Sequence, residues 1–322
     1  MKKLVKIGLG IGGTLLAVCA LVFSNIYFFS VMSRGIVPTD KDLENHTPYS
    51  RVCIFGLDGA GGFMKDYECN EFHEIFDKGS IKYNVKTQHL TDSAPNWFSI
   101  FHGVNYLKHH LGNSTSEKAK EYFSEYPSIF KVFSEKYPEK HAYSIVNWGT
   151  INSDLLEDVP NLTKVYAEGD SEVGKDVFVK DKVIETISSE DVGVMYMHFD
   201  QIDGEGHAHG NGSNEYKNAI KTVSGYIGEV YKKYEELGYA DDTLFVAVSD
   251  HGISPNGHHG TFIPSVRNSM LAVYGKHGDV IQGTPSFVVN QDVASVILYG
   301  LGIKQPDSYN GSVPKGMFNV LK

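Results

Sequence analysis

Three apolar runs in this 322-residue chain lead into residue types that bind metal ions. Arg51–Leu57 (RVCIFGL) precedes Asp58. Val192–His198 (VGVMYMH) precedes Asp200, Asp203 and His207. Thr243–Val248 (TLFVAV) precedes Asp250, His251, His258 and His259. Carboxylate oxygen and imidazole nitrogen suit Zn²⁺ and similar divalent ions. One Asp after a strand ordinarily caps a helix or closes a turn, but recurrence at three run ends points to a metal centre. Asp58, Asp203, His207, Asp250, His251 and His259 are too many ligands for one tetrahedral ion with an open position. They suffice for two ions that share a substrate, and two ions ~3.5–4 Å apart can clamp an in-line displacement at phosphorus. Asp203 is preferred to Asp200 because only Asp203 has the Asp-x-x-x-His spacing. His259 is preferred to His258 because it directly precedes Gly260, and His209 is a further rival.

A nucleophile is also legible. Ser93-Ala-Pro95-Asn-Trp97 opens a helical pattern, and Pro95 suits a first helical turn. Ser93 then lies at a helix N-terminus, where free N–H groups and the dipole favour an alkoxide or a phosphate. Taken alone, Ser93 reads as a helix cap; the metal-ligand types around it give the nucleophile reading its weight.

These residues need a scaffold. Further strand-like runs occur at 142–146 and 270–274, and helical patterns at about 63–78, 95–101, 116–136, 172–187, 214–237 and 291–301. Alternating strands and helices imply parallel strands with right-handed crossovers, an α/β sandwich. In such sheets ligands bind beyond the carboxyl ends of the strands, where the acids and histidines fall. Trp97 and Trp148 read as packing residues, with Trp148 able to line the cleft mouth.

The ends of the chain differ in character. Residues 7–33 carry no charge and are flanked by Lys6 and Arg34, with Lys2 and Lys3 upstream. A bilayer core needs ~20 apolar residues in a helix, so residues 1–34 are expected to form an uncleaved signal anchor, a transmembrane helix with its N-terminus cytoplasmic. A cleaved signal peptide is the rival. The catalytic part would then be lumenal or extracellular. Residues 35–50 read as a stalk and 51–322 as one catalytic domain. The chain has 29 basic and 39 acidic residues, net −10; residues 1–34 hold four bases and no acid, leaving 25 bases against 39 acids, net −14. That balance excludes a partner recognised through a nucleic-acid duplex backbone. Sequons at Asn45, Asn113, Asn161, Asn211 and Asn310 allow a glycoprotein. Three cysteines rule out a disulfide-stapled scaffold, and Cys53 and Cys69 either pair or stay free.

In order along the chain, Asp58, Ser93-Ala-Pro-Asn, Asp203-Gly-Glu-Gly-His207, Ser249-Asp-His-Gly252 and His259-Gly260 resemble the motifs of the alkaline phosphatase superfamily, type I phosphodiesterase/nucleotide pyrophosphatase branch. The resemblance implies a three-layer α/β sandwich with a mostly parallel central sheet and two divalent metal ions, Zn²⁺ by expectation. It implies one site of Asp203, His207 and His259, and a second of Asp58, Ser93, Asp250 and His251. Ser93 would be the catalytic nucleophile, forming a covalent phosphoserine, and Asn113 would bind a phosphate oxygen. The first expectation is a membrane-anchored phosphoester hydrolase. The alternatives are a phosphoethanolamine-type phosphotransferase to a glycan or lipid acceptor, and a non-catalytic surface binding protein. The short interval between His251 and His259 is similar to the transferases. A sulfatase is disfavoured, because Trp97 stands where the sulfatase pattern requires Arg.

Overall fold

The computed structural model describes residues 32–319 and 321. The expected anchor lies outside the described residues except for its last three. Among the described residues no helix is long and apolar enough to cross a membrane. In chain order the main elements are β1 (Arg51–Leu57), α1 (Asn70–Phe76), β2 (Ser80–Lys86), α2 (Ser93–His102), α3 (Ile129–Lys136), β3 (His141–Val146), β4 (Leu162–Tyr166), α4 (Glu172–Ser189), β5 (Val192–Phe199), α5 (Gln201–His209), α6 (Asn214–Glu236), β6 (Thr243–Val248), β7 (Asn268–Tyr274) and α7 (Asp292–Gly300).

The strands form one seven-stranded sheet in the order β2-β7-β6-β1-β5-β3-β4. β1 pairs in parallel with β5 and β6, and β3 in parallel with β4 and β5. The apolar runs are continuous because both faces are covered. Along β1, Val52 and Ile54 join a core built with α2, α3 and α7. Cys53, Phe55 and Leu57 join a second core built with α1, α4 and α6. These are the three layers of an α/β sandwich.

Several elements differ from the sequence expectation. β7 runs antiparallel to both neighbours. Its connection from β6 contains only the helical turn Pro264–Arg267, and a parallel return needs a packed crossover. β2 and β4 were not expected; they are the two edge strands, where polar residues replace the apolar run. The pattern at 116–136 is broken. A 3₁₀ segment spans Asn113–Glu121, and α3 starts only after Pro127, with Ser128 Oγ accepting from Lys131 N. The pattern at 63–78 contracts to a 3₁₀ turn at Phe63–Lys65 and α1. α5 is not among the helices expected from the sequence; Gly204 and Gly206 depress its helix propensity.

Much of segment 35–50 is folded onto the domain. Ile36 pairs with Val313, a helical turn spans Asp40–Glu44, and Tyr49 and His46 are buried. Cys53 and Cys69 are both free and buried. Asn161 Nδ2 donates to the carbonyls of Tyr137 and Lys140, and Asn211 Nδ2 to that of Ile253, whereas Asn45 is exposed.

Candidate metal centre and nucleophile

β6, β1 and β5 are adjacent parallel strands, so their carboxyl ends open at one edge of the sheet. Gly56 lies opposite His198 on one side and Val248 on the other. That register carries Asp58, two residues on, between the ends of β5 and β6. Asp58 N donates to Phe199 O at 3.0 Å, and Gly59 N to Asp250 Oδ1 at 3.2 Å. Gly59 has φ +65°, and a Cβ there would stand 2.6 Å from Asp203 Oδ1. Only glycine lets this turn and α5 approach so closely.

The side chains gather into three groups that could each hold a metal ion: Asp203, His207 and His259; Asp58, Asp250 and His251; and Asp58, His198 and Asp200. The first two contain the six ligands expected from sequence. Asp203 and His207 face the same way because they are four apart on α5. His207 and His259 have ring centroids 4.8 Å apart, and His251 and His259 4.2 Å apart, so the two groups adjoin.

The imidazoles are held in fixed orientations that a metal ligand would need. His207 Nδ1 donates to Gly257 O at 2.8 Å and His251 Nδ1 to Gly252 O at 3.2 Å. His259 Nδ1 donates to Asp92 Oδ1 at 3.1 Å. In each ring Nδ1 carries a proton and Nε2 faces the centre, where a cation would displace any second proton and take the lone pair. His198 is arranged the other way. Its Nδ1 faces Trp148 N at 3.4 Å, and its Nε2 donates to Asp58 Oδ2 at 3.0 Å. Trp97 Nε1 donates to the same oxygen at 2.9 Å. With Nδ1 accepting from Trp148 N and Nε2 donating to Asp58, His198 has no nitrogen lone pair left over for a cation. His198 and Trp97 therefore orient Asp58, so Trp97 does more than fill space.

The donors fit divalent cations on an independent ground. Asp58 Oδ1, Asp203 Oδ1 and Asp250 Oδ2 are buried without a hydrogen-bond partner, an arrangement that is costly unless a cation compensates it. Burial, followed by the charges of Asp58 and Asp203, pushes the Asp250 carboxyl far above the usual range. Asp200 is pushed the same way by burial and then Asp58. Burial would raise Asp58 too, but the His198 hydrogen bond and the charges of His251 and His198 hold it below the usual range. His251 is lowered to about 4, by burial and then by His259. His207 is raised to about 9, chiefly by its hydrogen bond to Asp203. Divalent charge would relieve the crowding of acids that drives several of these shifts.

Ser93 begins α2 and is almost fully buried. Its Oγ lies 3.1 Å from His251 Nε2. Asn113 Oδ1 accepts from Ala94 N at 2.8 Å. With its oxygen engaged, the Asn113 amide nitrogen is left to donate to an oxyanion beside Ser93. Asn96 accounts for the Pro-Asn of the motif. Its Oδ1 accepts from Gln88 N at 2.7 Å and Asn290 Nδ2 at 2.9 Å, and its Nδ2 donates to Leu90 O and Asp92 O. Asn290 Nδ2 also donates to Asp250 O at 2.7 Å, joining the serine loop to the end of β6.

Other residues mentioned in the sequence analysis fall differently. His258 is exposed, its backbone N–H donating to Ser254 Oγ, and His209 lies 3.5 Å from Glu205 on the surface. Sequence reasoning missed Asp92, His198, Asn290 and Asp176. Asp176 on α4 is buried, accepts from Asn147 Nδ2, Asp200 N and Gln201 N, and so caps α5. For Asp92 a signal was available: an acid beside a candidate nucleophile.

Comparison with known proteins adds names. Human GPI ethanolamine phosphate transferase 1 is 35% identical over 272 residues, covering 78% of this chain and 29% of that protein. The Mus musculus protein of the same name is 36% identical over 285 residues, with the same two coverages. The chain thus spans less than a third of the length of these relatives. Among solved structures, an inactive murine ectonucleotide pyrophosphatase/phosphodiesterase 5 in complex with AMP superposes with TM-score 0.66 at 14% identity, covering 82% of this chain and 97% of that one. An alkaline phosphatase superfamily protein from Vibrio parahaemolyticus gives TM-score 0.62 at 14% identity, covering 88% and 72%. At that identity the likeness shows the fold. The family model described as type I phosphodiesterase / nucleotide pyrophosphatase matches residues 52–285. This chain therefore belongs to the type I phosphodiesterase/nucleotide pyrophosphatase family of the alkaline phosphatase superfamily.

Proposed function

We propose that the chain is a phosphotransferase of the phosphoethanolamine type, passing the group from a phosphodiester donor to an alcohol of a glycan or lipid acceptor through Ser93. The observation that carries this is the 35–36% identity, over 78% of the chain, to proteins named GPI ethanolamine phosphate transferase 1. The short His251–His259 interval supports the same reading. The order of the two enzyme readings made from the sequence is thereby reversed, with hydrolysis second.

Ser93 Oγ attacks phosphorus, the donor alcohol leaves with a proton, and a phosphodiester to Ser93 forms. The acceptor hydroxyl then attacks the same phosphorus, loses its proton, and returns Ser93 as the free hydroxyl. The N-terminus of α2 and the Asn113 amide nitrogen stabilise charge on the non-bridging oxygens. Asp203, His207 and His259 would hold one divalent ion, and Asp58, Asp250, His251 and Ser93 a second, with Zn²⁺ matching the donor set. When bound, such ions supply Lewis-acid polarisation of the phosphoryl oxygens and lower the pKa of a coordinated hydroxyl.

The test is an ethanolamine-labelled phosphodiester donor with glycan or lipid acceptors, against a nitrophenyl panel of a monoester, a nucleotide diester and phosphocholine, with and without chelator. Label on the acceptor, lost in Ser93→Ala while metal content is retained, is expected. Label released only to water returns the hydrolase reading. Wild-type turnover by Ser93→Ala overturns the nucleophile.

A further inference from the structure

The uncharged run of residues 7–33 ends where the described structure begins, and the structure fixes where that end lies. Met32 Sδ stands 3.8 Å from Asn105 Nδ2. Ser33 Oγ contacts Ser312 Oγ, Gly35 N donates to Ser312 Oγ at 2.8 Å, and Ile36 exchanges backbone hydrogen bonds with Val313. No slack linker separates the end of the apolar run from the domain. With a reach of at most ~3.6 Å per residue, a chain leaving a bilayer at this point holds the face next to the buried Asn105, which includes the exposed Leu107, against the headgroups.

That surface is apolar and leads to the site. Leu107, two residues from Asn105, is 38% exposed. The neighbouring Tyr106 ring packs 5.6 Å from His89, which packs 5.2 Å from Phe262. Phe262 is 61% exposed and Ile263 41%. The two loops that carry His89 and Phe262 also carry the chemistry. His89 is four residues before Ser93 and Phe262 three after His259, and Thr91 Oγ1 donates to Thr261 O at 3.1 Å. A basic group flanks the aromatics: the Arg267 guanidinium lies 5.9 Å from the Phe262 ring centroid. Exposed apolar residues beside bases suit a bilayer interface, where rings and aliphatic chains enter the headgroup level and cations meet phosphates.

We propose that the rim formed by Leu107, Phe262 and Ile263 is the face this domain turns to a lipid bilayer, so that the Ser93 site opens toward lipid-linked substrate. The inference rests on reading residues 7–33 as an anchor, and it deepens the proposed lipid or glycolipid acceptor.

The full chain is reconstituted in phosphatidylcholine vesicles with and without acyl-brominated lipid, and tryptophan emission is compared for Phe262→Trp and Val177→Trp. Val177 is an exposed apolar residue on α4, across the sheet from α2. After subtraction of the wild-type signal, blue-shifted emission quenched by brominated lipid is expected for Phe262→Trp and not for Val177→Trp. Equal behaviour of the two overturns the proposal, whether the rim faces water, a second copy or the chain's own N-terminal segment. A wild-type chain that alkaline carbonate strips from the vesicles overturns it as well. In a second arm, Leu107→Ser/Phe262→Ser/Ile263→Ser is expected to turn over a soluble nitrophenyl diester normally but to lose about tenfold on a vesicle-embedded phosphodiester. Equal rates with wild type on both substrates count against the proposal. Quenching requires no turnover, so a quenched Phe262→Trp chain that transfers nothing sinks the transferase reading and leaves this one standing.

Discussion

Asp92 Oδ1 lies 3.1 Å from His259 Nδ1, while the next residue, Ser93, places its Oγ 3.1 Å from His251 Nε2. Two consecutive residues thus touch both ligand groups: one orients a ring of the first, the other meets a ring of the second. Whatever moves the start of α2 moves the candidate nucleophile and a candidate ligand together.

Asp92→Asn keeps an acceptor for His259 but removes its charge. Loss of such a partner ordinarily costs about 10–100-fold in metal affinity. Competition with a fluorescent chelator is expected to show that loss for one of two bound equivalents. Unchanged affinity for both would mean that Asp92 does not orient the ligand.

Trp97→Phe removes one donor to Asp58 Oδ2 and keeps most of the ring volume. His198 remains as the other donor, so an intact fold with weaker metal retention is expected. The lost hydrogen bond to a charged acceptor corresponds to about 1.5–3 kcal/mol. Calorimetric metal titration beside thermal unfolding checks this; a fall in melting temperature with metal affinity intact would reduce Trp97 to packing.

Asn290→Ala deprives both Asn96 Oδ1 and Asp250 O of a buried donor. Asp250 O is left unsatisfied, at about 1–3 kcal/mol, so a clear loss of stability is expected. Asn96 retains Gln88 N, and the serine loop should remain folded. The informative measurement is kcat relative to KM on a soluble diester. A fall in kcat at constant KM is expected if the link aligns Ser93 with the β6 end; loss of stability alone would leave kcat of the folded fraction unchanged.

Asp292 is fully buried, and burial raises its carboxyl to about 7 despite hydrogen bonds from Ser33, Val289 N and Ser312 N. The folded state therefore holds a proton that the unfolded state releases near pH 4. Its contribution is fully present below the unfolded value and is lost as pH rises through the folded one, between about pH 4 and 7. The size is on the order of 4 kcal/mol. Denaturant titrations across that window are expected to show a slope that Asp292→Asn flattens; an identical slope in the variant would place the titration elsewhere.

The parts of the site legible in the sequence are those whose signal is local. Asp58, Asp203, Asp250 and His251 follow buried strands or open the next helix, and a strand buried on both faces is visible as an unbroken apolar run. Asp203 and His207 share a helical spacing even though the glycines of α5 disguised the helix. The edge strands β2 and β4 lack that run and were invisible. β7 carries it, yet sequence could not give its direction, because direction is set by how the chain returns from β6.

The sequence by itself determined the α/β class, the order of the chemical motifs, the candidate nucleophile and the family, because each is written in neighbouring residues. Only the tertiary structure decided which groups face one another. Asp92 meets His259 across 167 positions, His198 meets Asp58 across 140, and Asn290 meets Asn96 across 194. It also made His198 a hydrogen-bond donor to the candidate ligand Asp58, and set Met32 beside Asn105. Such contacts depend on strand order and loop closure, which no local spacing encodes, because a side chain's hydrogen-bond partner is fixed by the packing of the layers beneath it.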